Sequence, residues 1–144
     1  MPLLNYSTSV PVDRTIMEIT RDLVKAGATQ VGSQYDGHGR VTGLSFSITL
    51  GGQTYAYTLP VRAEAVHAVL TRQRVEGRYS SRAHAERVAW RITRDWVRSQ
   101  LAIIQTEMVT LDQVMLPYMH TNDGATVYDN FKAGRSLPAG QGRR

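Results

Sequence analysis

The amino-acid sequence predicts an α+β fold: an antiparallel sheet of about four strands with helices on one face. Two observations support this prediction. Several segments alternate apolar and polar residues, which is typical of strands, and others repeat apolar residues every three or four positions, which is typical of helices. The elements follow the order β-α-β-β-β-α-α, with a long helix towards the C-terminus. Because only one sheet face is strongly apolar, the other is either solvated or a binding surface.

The first predicted strand and the first predicted helix precede the rest of the sheet. Leu4–Val10 alternates apolar and polar side chains up to Pro11, which ends the strand. Asp13–Ala26 repeats apolar residues at helical spacing, and it is followed by Gly27, a residue type that commonly ends helices.

Three more strands are predicted, joined by two turns that contain glycine. The strands are Gln30–Tyr35, Val41–Leu50 and Gln53–Leu59, and the turns are Asp36–Gly39 and Gly51–Gly52. The strand before the second turn has the clearest alternation, since its apolar residues all face one way. The opposite face has hydroxyl side chains that would line a groove or simply be solvated: Ser45, Ser47, Thr49, Thr54 and Thr58.

The second half of the chain is predicted to be helical. Arg62–Gln73 has the apolar spacing of a short helix. Arg82–Met108 is the longest predicted element, with Ser80 or Ser81 as its N-cap. Leu111–Met119 continues the helical pattern after a break.

Length and composition indicate one domain, residues 1–131, followed by a disordered tail, residues 132–144. The chain has no cysteine, which excludes disulfides and thiol chemistry. No apolar run reaches the roughly 18 residues that a membrane-spanning helix needs, and no signal-peptide pattern is visible at the N-terminus. We therefore expect a cytoplasmic protein with no membrane partner.

The positive charge of the chain is confined to one segment. The formal net charge is +5, and fifteen of the seventeen cationic side chains are arginine. Residues 61–98 contain nine arginines and four acids, whereas the segments on either side are each neutral. Planar guanidinium groups on one rigid element suit phosphate or carboxylate recognition.

These arginines predict nucleic-acid binding. On a helix, a row within about 80° at 100° per residue would contain His84, Arg87, Arg91, Arg94 and Arg98. Without a motif for sequence-specific readout, the expected partner is the backbone of single-stranded DNA, with a tyrosine stacking on bases. The candidate residues are Arg72, Arg74, Arg78, Tyr79, Arg82, Arg87, Arg91, Arg94 and Arg98.

Two alternatives to nucleic-acid binding remain open at this point. The arginines could form a solvated face, with Glu86 and Asp95 pairing some of them. The same arginines could instead contact an acidic surface of a host protein, which would make the chain a protein-interaction module that inhibits or regulates that protein.

The long helix has two apolar faces, so it needs two partners. The first face is expected to pack on the sheet and consists of Ala85, Val88, Ala89, Ile92, Trp96 and Ile103. The second, which we call the seam, consists of Trp90, Val97, Leu101, Ile104 and Met108. The seam is either the interface of a homo-oligomer or is covered by residues 111–131 of the same chain.

The sequence contains no pattern typical of an enzyme. The four histidines, His38, His67, His84 and His120, lack metal-ligand spacing. A phosphate-binding P-loop, a dinucleotide fingerprint and a nucleophile elbow are all missing. We expect a non-enzymatic protein without a metal or another cofactor.

Two stretches of the sequence resemble small uncharacterised proteins of bacteriophages and other mobile elements. The first is Asn5–Thr8 with Val12–Ile19 and then Gly27–Ala28, and the second is Ala89–Val97 with Glu107–Val109 and Leu116–Met119 downstream. The resemblance spans about residues 4–131 and transfers no site residues. It implies a bacterial or infected host cell, and either DNA handling in phage-type replication or recombination, or inhibition of a host protein.

Overall fold

The computed structural model describes residues 1–134 and has an α+β architecture. Within these residues the regular elements are α1 (Val12–Lys25), β1 (Ala28–Tyr35), β2 (Val41–Leu50), β3 (Gln53–Pro60), α2 (Ala63–Arg72), α3 (Arg82–Gln105), α4 (Leu111–Met115) and α5 (Val127–Lys132). Two single 3₁₀ turns, Gly77–Tyr79 and Leu116–Tyr118, precede α3 and follow α4. Apart from its first three residues, the predicted disordered tail lies outside the described part of the chain.

The sheet has three antiparallel strands in the order β1-β2-β3. Phe46 at the centre of β2 pairs with Val31 on one side and Tyr57 on the other. The turn between β2 and β3 is Gly51–Gly52, whose φ angles of 58° and 82° are in the region that favours glycine. The predicted pairing of these strands is confirmed, and so is the α+β class.

The predicted fourth strand, Leu4–Val10, is wrong. This segment forms a turn in which the Tyr6 amide donates to the Leu3 carbonyl and Asn5 has a φ of 64°. Tyr6 and the preceding Leu3 pack on the cluster formed by α2 and α3, whereas Leu4 is exposed. The alternation of apolar residues in this segment therefore does not reflect a strand with one buried face.

The helices after β3 also differ in detail from the expected order. α3 ends at Gln105, since Glu107 has a left-handed φ of 66°, and the chain then turns into the short α4. α5 was not predicted, although Thr126 and Asp129 form the capping box that starts it. Within residues 1–134, no helix is long and apolar enough to cross a membrane.

The core lies between the inner face of the sheet and helices α1, α3 and α4. Leu44 and Phe46 of β2 are buried there with Ile19 of α1 and Met115 of α4. The outer face of the sheet is polar and is not covered by any of these helices. The prediction of helices on one face of the sheet is therefore confirmed, although the sheet has three strands and not four.

The two apolar faces of α3 have the expected partners only in part. Trp90 and Val97 of the seam are fully buried in the core beside the sheet, so they cannot form an oligomer interface in this fold. Ala85 and Val88 of the first face pack on Leu70 of α2 instead of the sheet, whereas Ala89 and Trp96 of that face lie in the core beside the sheet, as expected. The spacing of apolar residues in the sequence predicted both faces of α3. Only the docking of α2 decided which of them meets the sheet.

The C-terminal part of the seam is less buried. Leu101 and Ile104 are partly buried against the core, where α4 begins to cover them, and Met108 is exposed over 70% of its surface. Cover by residues 111–131, the alternative that the sequence left open, therefore applies only in part, because the core beside the sheet buries Trp90 and Val97, and α4 covers Leu101 and Ile104 incompletely.

We expect Trp90→Ala to lower the free energy of unfolding by about 3–5 kcal/mol, because it leaves a large cavity in the core. Trp90→Phe should cost less, since it keeps a ring there and removes an indole N–H that has no hydrogen-bond partner within residues 1–134. Denaturant unfolding measures both variants.

Met17→Ala is the control, because Met17 is an exposed residue of α1 and its truncation should change stability by no more than about 0.5 kcal/mol. A Trp90→Ala variant as stable as this control would show that the indole is not part of the core.

Candidate nucleic-acid interface

We call Arg91, Arg94 and Arg98 of α3 the arginine row. It faces α1, and Arg91 is its most buried member. Nη1 of Arg91 donates to Oε1 of Glu18 at 3.2 Å and to Oγ1 of Thr15 at 3.3 Å. Only 13% of the Arg91 side chain is exposed. Arg91 therefore joins α3 to α1 and presents little of its guanidinium to a partner.

The next two arginines of the row are also paired. Nε of Arg94 lies 3.1 Å from Oε1 of Glu18, and its Nη1 donates to Oδ1 of Asp95 at 3.1 Å. Nε of Arg98 donates to Oδ2 of Asp22 at 2.8 Å. One row of acids on α1 thus neutralises the row of arginines on α3.

Glu18 is the centre of this network. Its partial burial raises the pKa of the carboxyl group, but the charges of Arg91 and Arg94 and the hydrogen bond from Arg91 together outweigh that effect. The pKa of Glu18 is therefore lower than its ordinary value of 4.5. The hydrogen bond to Asp22 in turn raises the pKa of Arg98.

The ion-pair alternative named one acid that pairs with an arginine and one that does not. Asp95 does pair with Arg94, but Glu86 forms no ion pair within residues 1–134. Glu18 and Asp22 were not expected, because Glu18 is 73 residues away from Arg91 in sequence and only the docking of α1 on α3 brings them together.

The other predicted arginines lie at the opposite end of α3, around its N-terminus. We call them the basic surface: Arg72, Arg74, Arg78, Arg82 and Arg87. Arg72 ends α2, Arg82 begins α3, and Arg74 lies in the connection between them. These three are exposed and form no ion pair with another residue of the described chain.

Arg78 and Tyr79 form a stacked pair within the basic surface. The guanidinium carbon of Arg78 lies 4.7 Å from the centre of the Tyr79 ring, and Nε of Arg78 is 3.1 Å from the exposed carboxylate of Glu76. The Tyr79 ring also contacts Tyr6 edge to face and lies against His84. Tyr79 is thus held by its neighbours, and the planar group directed outwards is the Arg78 guanidinium.

Arg87 is held in place by a buried histidine. Nη2 of Arg87 donates to Nδ1 of His84 at 3.3 Å, while Nε2 of His84 donates to the Tyr6 carbonyl at 2.6 Å. These two contacts fit the neutral tautomer with its proton on Nε2. Arg87 is half-buried and keeps further N–H donors for a ligand.

Two cavities open on the basic surface. One, of about 520 Å³, is lined by Arg78, Tyr79 and Arg87 together with Glu86 and the hydroxyl residues Ser7–Ser9. The other, of about 590 Å³, is lined by Arg82 and Arg40 together with the acids Glu64 and Glu86. Sequence reasoning missed Arg40 and residues 7–9, and no local signal could have found them, because the tertiary fold brings them to this end.

The hydroxyl face of the sheet is a separate surface. Its side chains bond to one another across the strands: Ser45 Oγ lies 3.0 Å from Thr58 Oγ1, which in turn lies 2.6 Å from Nε2 of His120. A shallow cavity of about 400 Å³ over this face has no arginine or lysine in its lining. The face therefore lacks the charge that phosphate binding would use.

The titratable side chains do not converge on a metal site in the described chain. No group of three or more histidine, aspartate or glutamate residues within positions 1–134 is placed to hold a metal ion. His67 and His84 each contact a backbone carbonyl instead.

Comparison with known proteins adds no relative. No protein-family model, curated protein or solved structure matches the chain. The resemblance to phage and mobile-element proteins therefore stays a prediction.

We expect Glu18→Gln to lower the free energy of unfolding at pH 7 by about 1–3 kcal/mol, because it leaves partly buried arginines without their shared carboxylate. The pKa of Glu18 is depressed in the folded chain, so its contribution is fully present above pH 4.5 and is lost as the pH falls through the lower folded pKa. The difference between wild type and variant should shrink over that acidic range, as measured by urea unfolding at several pH values.

Glu64→Gln is the matched control, since Glu64 is exposed and has no ion pair within residues 1–134. Equal effects of the two substitutions at pH 7 would contradict a structural role for Glu18.

Proposed function

We propose that this protein binds nucleic acid, most favourably single-stranded DNA, through the basic surface at the N-terminal end of α3, and that it acts without catalysis. The observation that supports this function best is the division of the arginines into two groups. Those of residues 91–98 are neutralised by α1, whereas most of those of residues 72–87 have no ion-pair partner within residues 1–134.

The unpaired arginines of the basic surface are significant because the fold pairs other arginines with acids. α1 supplies Glu18 and Asp22 to the arginine row, but no helix supplies acids to Arg72, Arg74 or Arg82 within the described chain. Exposed guanidinium groups that do not stabilise the fold are available to neutralise phosphates, and this releases counterions from the nucleic acid.

A single strand suits the shape of this surface better than a duplex. The surface consists of a 3₁₀ turn, a loop and a helix end, and it has no helix or ribbon free to enter a major groove. The Arg78 guanidinium, stacked on Tyr79, offers a planar group on which an unpaired base can stack. The hydroxyl groups of residues 7–9 supply further donors to phosphate oxygens.

This proposal changes the set of residues that the sequence predicted. The binding residues are those of the basic surface, with Arg40 as an addition, and Arg91, Arg94 and Arg98 become structural. A role in phage-type DNA replication or recombination is part of the same proposal and rests on the resemblance of residues 4–131.

The basic surface is tested with a pair of neutralised arginines. We expect Arg72→Gln/Arg82→Gln to weaken binding of a fluorescent single strand by roughly tenfold at about 50 mM salt and to reduce the salt slope by about 1.4, because each phosphate contact of a single strand contributes about 0.7. Fluorescence anisotropy over a salt series gives both values.

Arg14→Gln/Arg21→Gln is the matched control, because it removes the same charge from exposed positions of α1. Equal losses in the two double variants would place the contacts elsewhere. Wild-type protein that does not bind at about 50 mM salt, or binds independently of salt, contradicts the proposal. Binding to an acidic polypeptide but not to DNA would favour the host-protein alternative.

A further inference from the structure

An apolar cleft lies at the other end of α3, away from the basic surface. It has a volume of about 810 Å³ and opens between the C-terminal ends of α1 and α3, the end of β2 and the start of α4. Its apolar lining residues are Ile48, Leu50, Leu101, Ile104, Val109 and Leu111. Leu101 and Ile104 are the part of the seam that the core does not bury completely.

The rim of the cleft has one charge of each sign without a partner. Lys25 comes from the last turn of α1, and Glu107 from the connection between α3 and α4. Both are exposed, and neither forms an ion pair with another residue in the described part of the chain. Asp22 also lines the cleft, but Arg98 already binds its carboxylate.

An apolar side chain projects from the same rim. Met108 lies between Glu107 and Val109, both of which line the cleft, and 70% of its surface is exposed. A flexible, unbranched methionine adapts to an irregular apolar site more readily than a branched side chain. One patch of the surface thus contains both a projecting apolar group and an apolar cavity.

We propose that this patch is the contact surface of a two-fold symmetric dimer. In a two-fold contact both subunits use the same patch. If one residue contacts a second residue of the partner, the same two residues therefore also meet with the subunits exchanged. Met108 of each subunit enters the cleft of the other, and Lys25 of each subunit lies opposite Glu107 of the other. A patch with a projection, a cavity and unpaired charges of both signs is complementary to itself.

A second copy explains the patch better than a small apolar ligand does. Such a ligand would fill the cleft but would leave Met108 exposed and would have no use for two opposite charges at the rim. The dimer fills the cleft, covers Met108 and pairs the two rim charges. It also buries the exposed parts of Leu101 and Ile104. This inference does not depend on nucleic-acid binding, because it involves the end of α3 opposite the basic surface.

The apolar contact is tested by adding a charge to it. Met108→Glu should convert the dimer into a monomer, as measured by sedimentation or light scattering in the micromolar range against the 16.1 kDa chain. Met17→Glu is the control, since Met17 is an exposed methionine of α1 that does not line the cleft, and this variant should remain dimeric. Circular dichroism and thermal unfolding verify that both variants are folded.

Charge reversal at the rim tests whether Lys25 and Glu107 meet between two subunits. Lys25→Glu and Glu107→Lys should each raise the dimer dissociation constant by roughly tenfold, because like charges then face each other at two symmetric places. When the two single variants are mixed, each of the two rim contacts between unlike subunits again joins one acid and one base. A heterodimer should therefore form with wild-type affinity.

Three results would overturn the dimer. The first is wild-type protein that stays monomeric throughout the micromolar range. The second is a dimer that Met108→Glu and both charge reversals leave unchanged, since this would place the interface elsewhere. The third is a monomer that binds an apolar probe such as dodecanoate saturably in the cleft, because the cleft would then be a ligand site.

Discussion

The contact between the acids of α1 and the arginines of α3 is the interaction on which the rest of this structure depends. Glu18 alone lies within 4 Å of three arginines of α3, and Asp22 holds a fourth contact through Arg98. These bonds fix how α1 lies along α3. The orientation of α3 then places Trp90 and Val97 in the core and leaves its opposite face for α2.

The same contact divides the arginines of the protein into two groups. Those that meet α1 are paired within the fold, and under the proposed function those beyond its reach would bind the nucleic acid. A 24-residue helix extends about 36 Å at 1.5 Å per residue, so its two ends are well-separated surfaces. One end has the basic surface and the other has the apolar cleft. A dimer through the cleft would give one particle two basic surfaces, and so a gain in avidity on a long strand.

Sequence reasoning succeeded where the determining pattern is local. The alternation in Val41–Leu50 and the paired glycines after it specify a hairpin, and both were predicted at nearly the observed bounds. It failed at Leu4–Val10, where the chain forms a turn in which Tyr6 packs on the helices and Leu4 is exposed. It also missed α5, although a capping box was present, because a helix of six residues has little periodicity to detect.

The sequence by itself determined the α+β class, the single apolar face of the sheet, the start of α3 and the segment that contains the positive charge. Each of these follows from composition or from periods of two and 3.6 residues. Only the tertiary structure decided which arginines are neutralised, which face of α3 is buried and which residues form the cleft. The physical reason is that these outcomes depend on pairs such as Glu18 and Arg91, which are 73 residues apart in sequence and meet only when two helices dock.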